Sequence, residues 1–252
     1  MSGHSKWSTI KRKKGVADAR RGQLFTKLGR GISLAARDGG GEDLSKNFQL
    51  RLAVDRAKRF SMPKDNIERA ILRGVGKLKG VAIEEHQYEG YGPQGTALIV
   101  KVVTDNRNRS VSEVRSVFTQ HGGNLGETGS VGWLFEQHGY ISITPKGDEA
   151  EELALMAIDS GAEDVNSDAD LVEVFTKVQD LKKVQEALED IGISFDSAQL
   201  SWIPKSMIKL DVKGALKNMR LIDALEALDD VLQVYSNLEI SAEAMAAYEA
   251  QE

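Results

Sequence analysis

The 252-residue sequence contains no cysteine and no long apolar run. The absence of cysteine excludes disulfide bonds, thiolate zinc sites and thiol catalysis, and it suits a reducing cytosol. Crossing a bilayer takes about 20 apolar residues in succession, and the N-terminus lacks the apolar segment of a secretory signal. Residues 1–17 hold several Ser and Lys and no acid, as transit peptides do, but without a clear amphipathic face. We therefore expect a cytoplasmic protein that makes no contact with a membrane.

The motifs of common enzymes are also missing. The histidines do not occur at H-x-x-x-H spacing, and the chain has neither a Walker loop nor a nucleophile elbow. The segment GYGPQG (90–95) matches the glycine pattern of a dinucleotide site, but the pattern predicts a strand after it rather than a helix. We interpret it as a hairpin loop. The sequence predicts a non-enzymatic protein without a metal ion or another cofactor, although a cation or a basic partner on the acidic stretch 148–170 stays open.

Charges of opposite sign are concentrated in different parts of the chain. The net charge is −5, yet residues 1–79 carry +13 and residues 80–252 carry −18. A polyanion would be attracted to the first part and repelled by the second. This segregation predicts a nucleic acid as the partner of the N-terminal part.

The candidate binding residues are mostly the cations of that basic part. Lys and Arg neutralise phosphates, and a Trp offers a surface on which a base can stack. An alternative stays open, in which the basic tail only confers solubility or binds the acidic domains of the same chain. The predicted nucleic-acid-binding residues are Lys6, Trp7, Lys11, Arg12, Lys13, Lys14, Arg20, Arg21, Arg30, Arg37, Arg51, Arg107 and Arg109.

The basic part has the apolar spacing of three helices. Apolar residues recur at helical spacing from Gln23 to Arg37, and a second helix is predicted around residues 48–57. Pro63 suits the first turn of a third helix, and Gly74 is placed to end it. The pattern predicts a basic tail and a helical domain over residues 1–79.

Strands and helices alternate after residue 80. Strands are predicted at 95–103 and 130–135, and a helix begins at Ser110, where Ser110-x-x-Glu113 has the spacing of a capping box. Residues 139–200 have the order βαββαβ, which is typical of a ferredoxin-like domain. A strand at 207–212, a helix and a strand near 231–238 complete a second βαββαβ set.

We predict an α+β fold with three domains, in which one ferredoxin-like domain is inserted into the other. Short connections between consecutive elements favour this arrangement over three unrelated pieces. The predicted parts are the helical domain with its tail (1–79), a discontinuous ferredoxin-like domain (80–137 plus 204–240), an inserted acidic domain (138–203) and a C-terminal tail (241–252).

Five segments of the sequence resemble the YebC/PmpR-type family. The resemblance covers nearly the whole chain, although it is looser over residues 136–252, and at Gly31 the family usually has a glutamate. It implies a cytoplasmic protein with a helical N-terminal domain and two α/β domains. The segments are GHSKWSTIKRKKGVADARRGQLFTKLGR (3–30), SMPKDNIERAI (61–71), YEGYGPQGTALIV (88–100), DNRNRSVSEVR (105–115) and HGGNLGETGSVGWLF (121–135).

The resemblance implies a regulator and leaves its target open. Bacterial members are described as DNA-binding transcriptional regulators. The mitochondrial branch, which includes the translational activator of cytochrome c oxidase, and some bacterial members are described as acting in translation at the ribosome. The chain has no helix-turn-helix signature, RNP motif or zinc finger that would decide between them. The implied partner is therefore DNA, or ribosomal RNA or tRNA on the ribosome, and a protein-interaction scaffold is the third alternative. The oligomeric state stays open, and a monomer is compatible with the sequence.

Overall fold

The computed structural model describes residues 18–78 and 83–250, with the backbone alone for residues 18–21. The chain forms two compact units. One unit is Glu136–Ile203, and the other consists of the described residues before and after it. The two units are described in turn. The predicted domain boundaries stay predictions about which parts fold independently.

Three helices form the N-terminal part, as the sequence predicts: α1 (Asp18–Asp38), α2 (Phe48–Arg59) and α3 (Lys64–Gly74). Ile32, Leu50 and Ala57 are fully buried in their common core. The turn before α2 is held by Asn47, whose side-chain oxygen accepts the amide of Leu50 at 2.9 Å. Such a cap satisfies an amide that has no partner within the helix. The three helices are therefore held together by their apolar faces, and the start of α2 is stabilised by its cap.

A four-stranded antiparallel sheet follows the helical domain. Its strands are β1 (Glu84–Tyr91), β2 (Ala97–Thr104), β3 (Asn124–Leu125) and β9 (Val231–Ser236), in the order β3-β1-β2-β9. Helices α4 (Arg107–Gln120) and α7 (Val212–Ala227) share one core with the sheet, in which Val100, Phe118 and Met219 are buried. The segment GYGPQG connects β1 to β2, with Tyr91 opposite Ala97. The hairpin predicted there is confirmed.

The strands of this sheet differ from the predicted ones in two places. Residues 130–135 are not a sheet strand, because Gly132–Leu134 is a 3-10 turn before β4 (Phe135–Ile143). Of residues 207–212, only β8 (Ile208–Lys209) is a strand, and it pairs in parallel with β10 (Leu238–Glu239) outside the sheet. In a βαββαβ fold the third strand lies between the first two. Here β2 and β3 are in the places of the first two strands, and the position between them is occupied by β1. Its sequence, EEHQYEGY, lacks the apolar alternation that would indicate a strand.

The start of α4 also differs from the prediction. The helix begins at Arg107 with Asn106 as its N-cap, whose side-chain oxygen accepts the amide of Arg109 at 3.1 Å. Ser110 is buried inside the helix, where its hydroxyl oxygen lies 2.8 Å from that of Thr104. The capping box predicted at Ser110 is therefore wrong. The hydroxyl points into the domain instead.

The unit Glu136–Ile203 has the predicted order βαββαβ. Its strands are β4, β5 (Asp164–Asp168), β6 (Leu171–Thr176) and β7 (Ser197–Pro204), and its helices are α5 (Ala150–Asp159) and α6 (Leu181–Asp190). The sheet order is β5-β6-β4-β7, so the third strand lies between the first two. The α+β class of the fold, with a helical part followed by sheet-containing parts, is confirmed.

The chain after β10 forms another helix, α8 (Ala242–Glu249), in the segment predicted to be a tail. The Ser241 hydroxyl accepts the amide of Ala244 at 3.1 Å and caps the helix. Ala244 and Met245 are buried in the core of the four-stranded sheet. Residues 242–249 are thus packed against the domain.

Candidate nucleic-acid interface

The predicted binding residues of the tail lie largely outside the described part of the chain. This applies to Lys6, Trp7, Lys11, Arg12, Lys13 and Lys14. Arg20 and Arg21 lie in the first turns of α1, where only the backbone is described. Their contact with a nucleic acid stays a prediction.

Two of the predicted arginines converge on one buried carboxylate. Arg30 reaches it from α1 and Arg109 from α4, and both pair with Asp230 at the start of β9. The Arg109 guanidinium lies 2.8 Å from the nearer carboxylate oxygen. The Asp230 side chain is only 4% exposed, against 43% for Arg109. Since Asp230 lies at the sheet edge and Arg30 in the helical domain, this carboxylate joins the two parts of the unit.

Hydroxyl groups complete the surroundings of Asp230. Thr104 donates to it at 2.8 Å, and Ser110 donates to the same oxygen. Burial alone would raise the pKa of Asp230, but hydrogen bonds from Ser110, Arg109 and Thr104, with the charge of Arg30, outweigh it. The pKa is therefore lowered, and the group is ionised at neutral pH. Two arginines that sequence reasoning assigned to phosphates are held by a carboxylate of the chain itself.

Two of the other described candidates, Arg37 and Arg51, contact groups outside this cluster. Arg37 donates to the carboxylate of Asp38 at 2.6 Å and to the carbonyl of Ile83 at 2.7 Å. The Arg51 guanidinium lies 5.0 Å from the centre of the Phe48 ring, which is cation–π distance. Arg107 is exposed at the start of α4. The structure therefore brings Arg30 and Arg109 together on Asp230, with Arg107 two residues from Arg109 in the first turn of α4.

Exposed cations gather instead around the turn between α2 and α3. The last turn of α2 is basic, α3 begins with a lysine, and all of these side chains are exposed. Lys64 keeps 87% of its side chain accessible although it pairs with Glu68 at 3.5 Å. The sequence carries this signal as basic residues close to Pro63, but only the fold shows that they share one end of the domain. The residues are Arg56, Lys58, Arg59 and Lys64.

A second surface feature lies at the C-terminal end of β1. The Tyr91 hydroxyl and the Trp133 indole N–H both donate to the carbonyl of Ser130, at 2.8 and 3.1 Å. Trp133 is 66% exposed and Tyr91 36%. We call these two residues the aromatic platform. Sequence reasoning missed it, because the segment around Trp133 was interpreted as a strand.

A buried glutamate holds the loop that carries Trp133. The Glu89 carboxylate accepts the amides of Val131 and Gly132 at 2.9 and 2.7 Å, and the residue is 4% exposed. Burial would raise the pKa of Glu89, but hydrogen bonds from these amides and from the amide of Gly129 outweigh burial and lower it. A Cβ at Gly132 would lie only 3.2 Å from the carboxylate. A glycine at this position thus lets the loop approach its acceptor closely.

Neither a cluster of potential metal ligands nor a membrane-spanning helix occurs in residues 18–78 and 83–250. No three His, Cys, Asp or Glu side chains there are grouped so that they could hold an ion. None of the helices within these ranges is both long and apolar enough to cross a bilayer.

Curated relatives match this chain along almost its entire length. A protein named probable transcriptional regulatory protein from Chloroflexus aurantiacus is 51% identical over 252 residues, covering 99% of this chain and all of its own. Proteins of the same name from Desulfosudis oleivorans and Roseiflexus castenholzii are 50% and 52% identical. Each alignment covers 96% of this chain, and 98% and 97% of the relative.

A solved structure and two family models agree with these matches. The crystal structure of a conserved hypothetical protein from Aquifex aeolicus superimposes with a TM-score of 0.82 at 48% identity, covering 89% of this chain and 92% of that one. Residues 5–77 match the model described as the TACO1/YebC protein N-terminal domain, and residues 83–238 match the one described as the TACO1/YebC second and third domain. The boundary between the two matches falls where the charge changes sign. The chain therefore belongs to the TACO1/YebC family, as its sequence motifs indicate.

Proposed function

We propose that this chain is a non-enzymatic transcriptional regulator that binds the phosphate backbone of DNA through residues 1–79. The observation that carries the proposal is the segregation of charge, +13 in this part against −18 in the rest. The names of the bacterial relatives support a regulatory role. The proposed partners are the sugar-phosphate groups of a duplex. The cytoplasm is the proposed location.

The exposed cations of the helical domain support binding to phosphates. Residues 18–78 carry a net charge of +7, and the basic cluster at the α2–α3 turn lies on their surface. Released counterions make such binding favourable at low salt for any base sequence. We propose that the tail and this cluster bind the backbone together. Arg30 and Arg109 would contribute less, because Asp230 already neutralises part of their charge.

Direct reading of bases by α3 is not favoured. Only residues 60–63 separate α2 from α3, a turn length typical of helix-turn-helix proteins. In those proteins the N-terminal residues of the second helix contact base edges. Here Asp65 and Glu68 are exposed in that part of α3 and would repel the flanking phosphates. Phosphate contacts position a protein without reading sequence, so we expect weak sequence preference from this domain alone.

The test is a salt titration of binding to a DNA duplex. If six to eight phosphates are neutralised, log K falls with log salt at a slope of about −5 to −7. Deletion of residues 1–21 removes seven cations and one acid, so both the affinity and the slope should decrease. A matched control is the deletion of residues 251–252, which removes one acid and no cation. A flat titration, or unchanged binding after the N-terminal deletion, would refute the proposal.

RNA is the second candidate target, with a role in translation. The same cations serve either polyanion, and the exposed aromatic platform favours a strand whose bases are unpaired. Cosedimentation with ribosomes and crosslinking to ribosomal RNA would distinguish this function from binding at promoters. If fragments 1–79 and 80–252 bind each other at low salt and neither nucleic acid is bound, the scaffold alternative applies.

A further inference from the structure

We propose that Trp133 and Tyr91 form a binding site on which an unpaired nucleobase of a single strand stacks. The inference deepens the second candidate function and rests on it, because RNA held by residues 1–79 offers unpaired bases and a DNA duplex does not. It assigns a role to the segments YEGYGPQG and HGGNLGETGSVGWLF, which lie outside the basic residues 1–79.

The first argument is the exposure of the indole. Among the described residues, Trp133 is the most exposed large hydrophobic side chain, at 66%. Its only polar atom already donates to the carbonyl of Ser130. The ring therefore offers an apolar face and needs no further hydrogen bond from a ligand. A flat, uncharged group such as a nucleobase is the partner that such a face suits.

The second argument is the rigidity of the site. Tyr91 and Trp133 share one acceptor, and Glu89 holds the two amides that precede the indole. Two further glycines allow the chain to fold closely here. A Cβ at Gly126 would lie 2.4 Å from the Ser130 hydroxyl oxygen, and one at Gly123 would lie 2.7 Å from the Tyr91 carbonyl. An orientation fixed in advance lowers the entropy lost on binding.

The third argument concerns the surroundings of the platform. The other exposed large hydrophobics described within the same compact unit are Leu44 and Leu78, and both lie in the helical domain. Apart from those two leucines, no large aliphatic side chain among the described residues of this unit is exposed, unlike at the centre of a protein–protein interface. An exposed lysine, Lys205, lies beside the site, because its amide donates to the carbonyl of Leu134 at 2.9 Å. Its ammonium group supplies a cation for the phosphate of a stacked nucleotide.

The distance to the helical domain sets the length of strand required. Arg37 of α1 contacts Ile83, immediately before β1, and the platform lies at the other end of that strand. Seven residue steps along β1 span about 23 Å. A strand with about 3.4 Å between successive nucleotides covers this distance with roughly seven nucleotides. A 12-nucleotide strand is therefore long enough to extend from the platform to Arg37 of the helical domain.

The experiment compares full-length variants on two labelled probes, a 12-nucleotide single-stranded RNA and a 12-base-pair DNA duplex. Trp133→Ala should weaken binding to the single strand by about 5- to 150-fold, the effect of losing one base–aromatic stack, and binding to the duplex by less than about 2-fold. Trp133→Phe keeps a ring without the N–H and should retain most of the affinity. Leu155→Ala, at a residue that is 65% exposed in the other unit, is the matched control and should change neither affinity.

The outcomes separate this inference from the proposed function. If the wild type does not bind the single strand, the inference fails, and if it binds neither probe, the proposed function fails with it. If the wild type binds and Trp133→Ala binds the single strand equally well, the platform is refuted while the proposed function stands. If Trp133→Ala loses a crosslink to another protein while its RNA affinity is unchanged, the surface binds a protein and the inference is refuted. Melting temperatures verify folding, and the Trp133→Phe variant keeps the test valid if Trp133→Ala does not fold.

Discussion

The effect of substituting a glycine in this chain depends on how closely a neighbouring element approaches it. Glycines within α1 and α3 illustrate the point, because their effect depends on what a side chain would meet. A Cβ at Gly31 would lie 3.9 Å from a Leu232 methyl group, an ordinary contact. A Cβ at Gly74 would lie 2.2 Å from the carbonyl oxygen of Ser33. The same substitution should therefore have opposite effects at these two positions.

We expect Gly31→Ala to stabilise the protein by up to about 1 kcal/mol, since alanine has the higher helix propensity and meets no obstacle there. Gly74→Ala should destabilise it by about 1–3 kcal/mol, because the backbone of α1 would have to move. Thermal unfolding of the two variants beside the wild type measures both effects. A lower melting temperature for Gly31→Ala would contradict the expectation.

At the scale of elements, one carboxylate holds two helices and a strand together. Asp230 directly precedes β9 and contacts Arg30 on α1, Thr104 at the end of β2, and Arg109 with Ser110 on α4. Removing one partner of a buried ion pair costs more than the pair contributes, since the other charges stay without compensation. The position of the helical domain on the sheet should therefore depend on this residue.

Asp230→Asn should lower the free energy of unfolding at pH 7 by about 3 kcal/mol, the low end for a broken buried pair, because Arg109 is partly exposed. The native pKa of Asp230 is lowered, so its contribution is complete above the unfolded value of about 3.9. It is lost as the pH falls from there through the native pKa. Denaturant unfolding between pH 3 and pH 7 should thus show the difference between wild type and variant shrinking in acid.

Asp229→Asn is the control for this prediction. Asp229 is the adjacent residue, its side chain is exposed, and the same negative charge is removed. Its unfolding free energy should stay within about 0.5 kcal/mol of the wild type. Equal effects at the two positions would show that net charge, rather than the buried contacts, explains the loss.

At the scale of the molecule, the two points at which the chain enters and leaves the inserted unit lie close together. The amide of Lys205 donates to the carbonyl of Leu134 at 2.9 Å, directly outside Glu136–Ile203. That unit carries a net charge of −12, so the remaining chain is positive, at +7. The acidic charge that opposes a polyanion is therefore concentrated in a part that a short turn can replace.

We expect the chain in which residues 137–202 are replaced by a two-residue turn to fold and to bind duplex DNA more tightly than the wild type at low salt. Its affinity should fall with salt at least as steeply, since every cation of residues 1–79 is retained. Circular dichroism and a salt titration test the two parts of this prediction. If affinity decreases in a folded deletion variant, the inserted unit contributes to binding.

The sequence by itself determined the three N-terminal helices, the βαββαβ order of the inserted unit, the hairpin at GYGPQG and the family, because periodicity and long motifs are local signals. It assigned neither β1 to the sheet nor residues 242–249 to a helix, since β1 is largely polar and α8 is short. Only the tertiary structure decided that Arg30 and Arg109 face Asp230 and that Tyr91 and Trp133 meet at one carbonyl. These pairs lie 42 to 200 residues apart in the chain, and no local pattern records which distant side chains folding brings together.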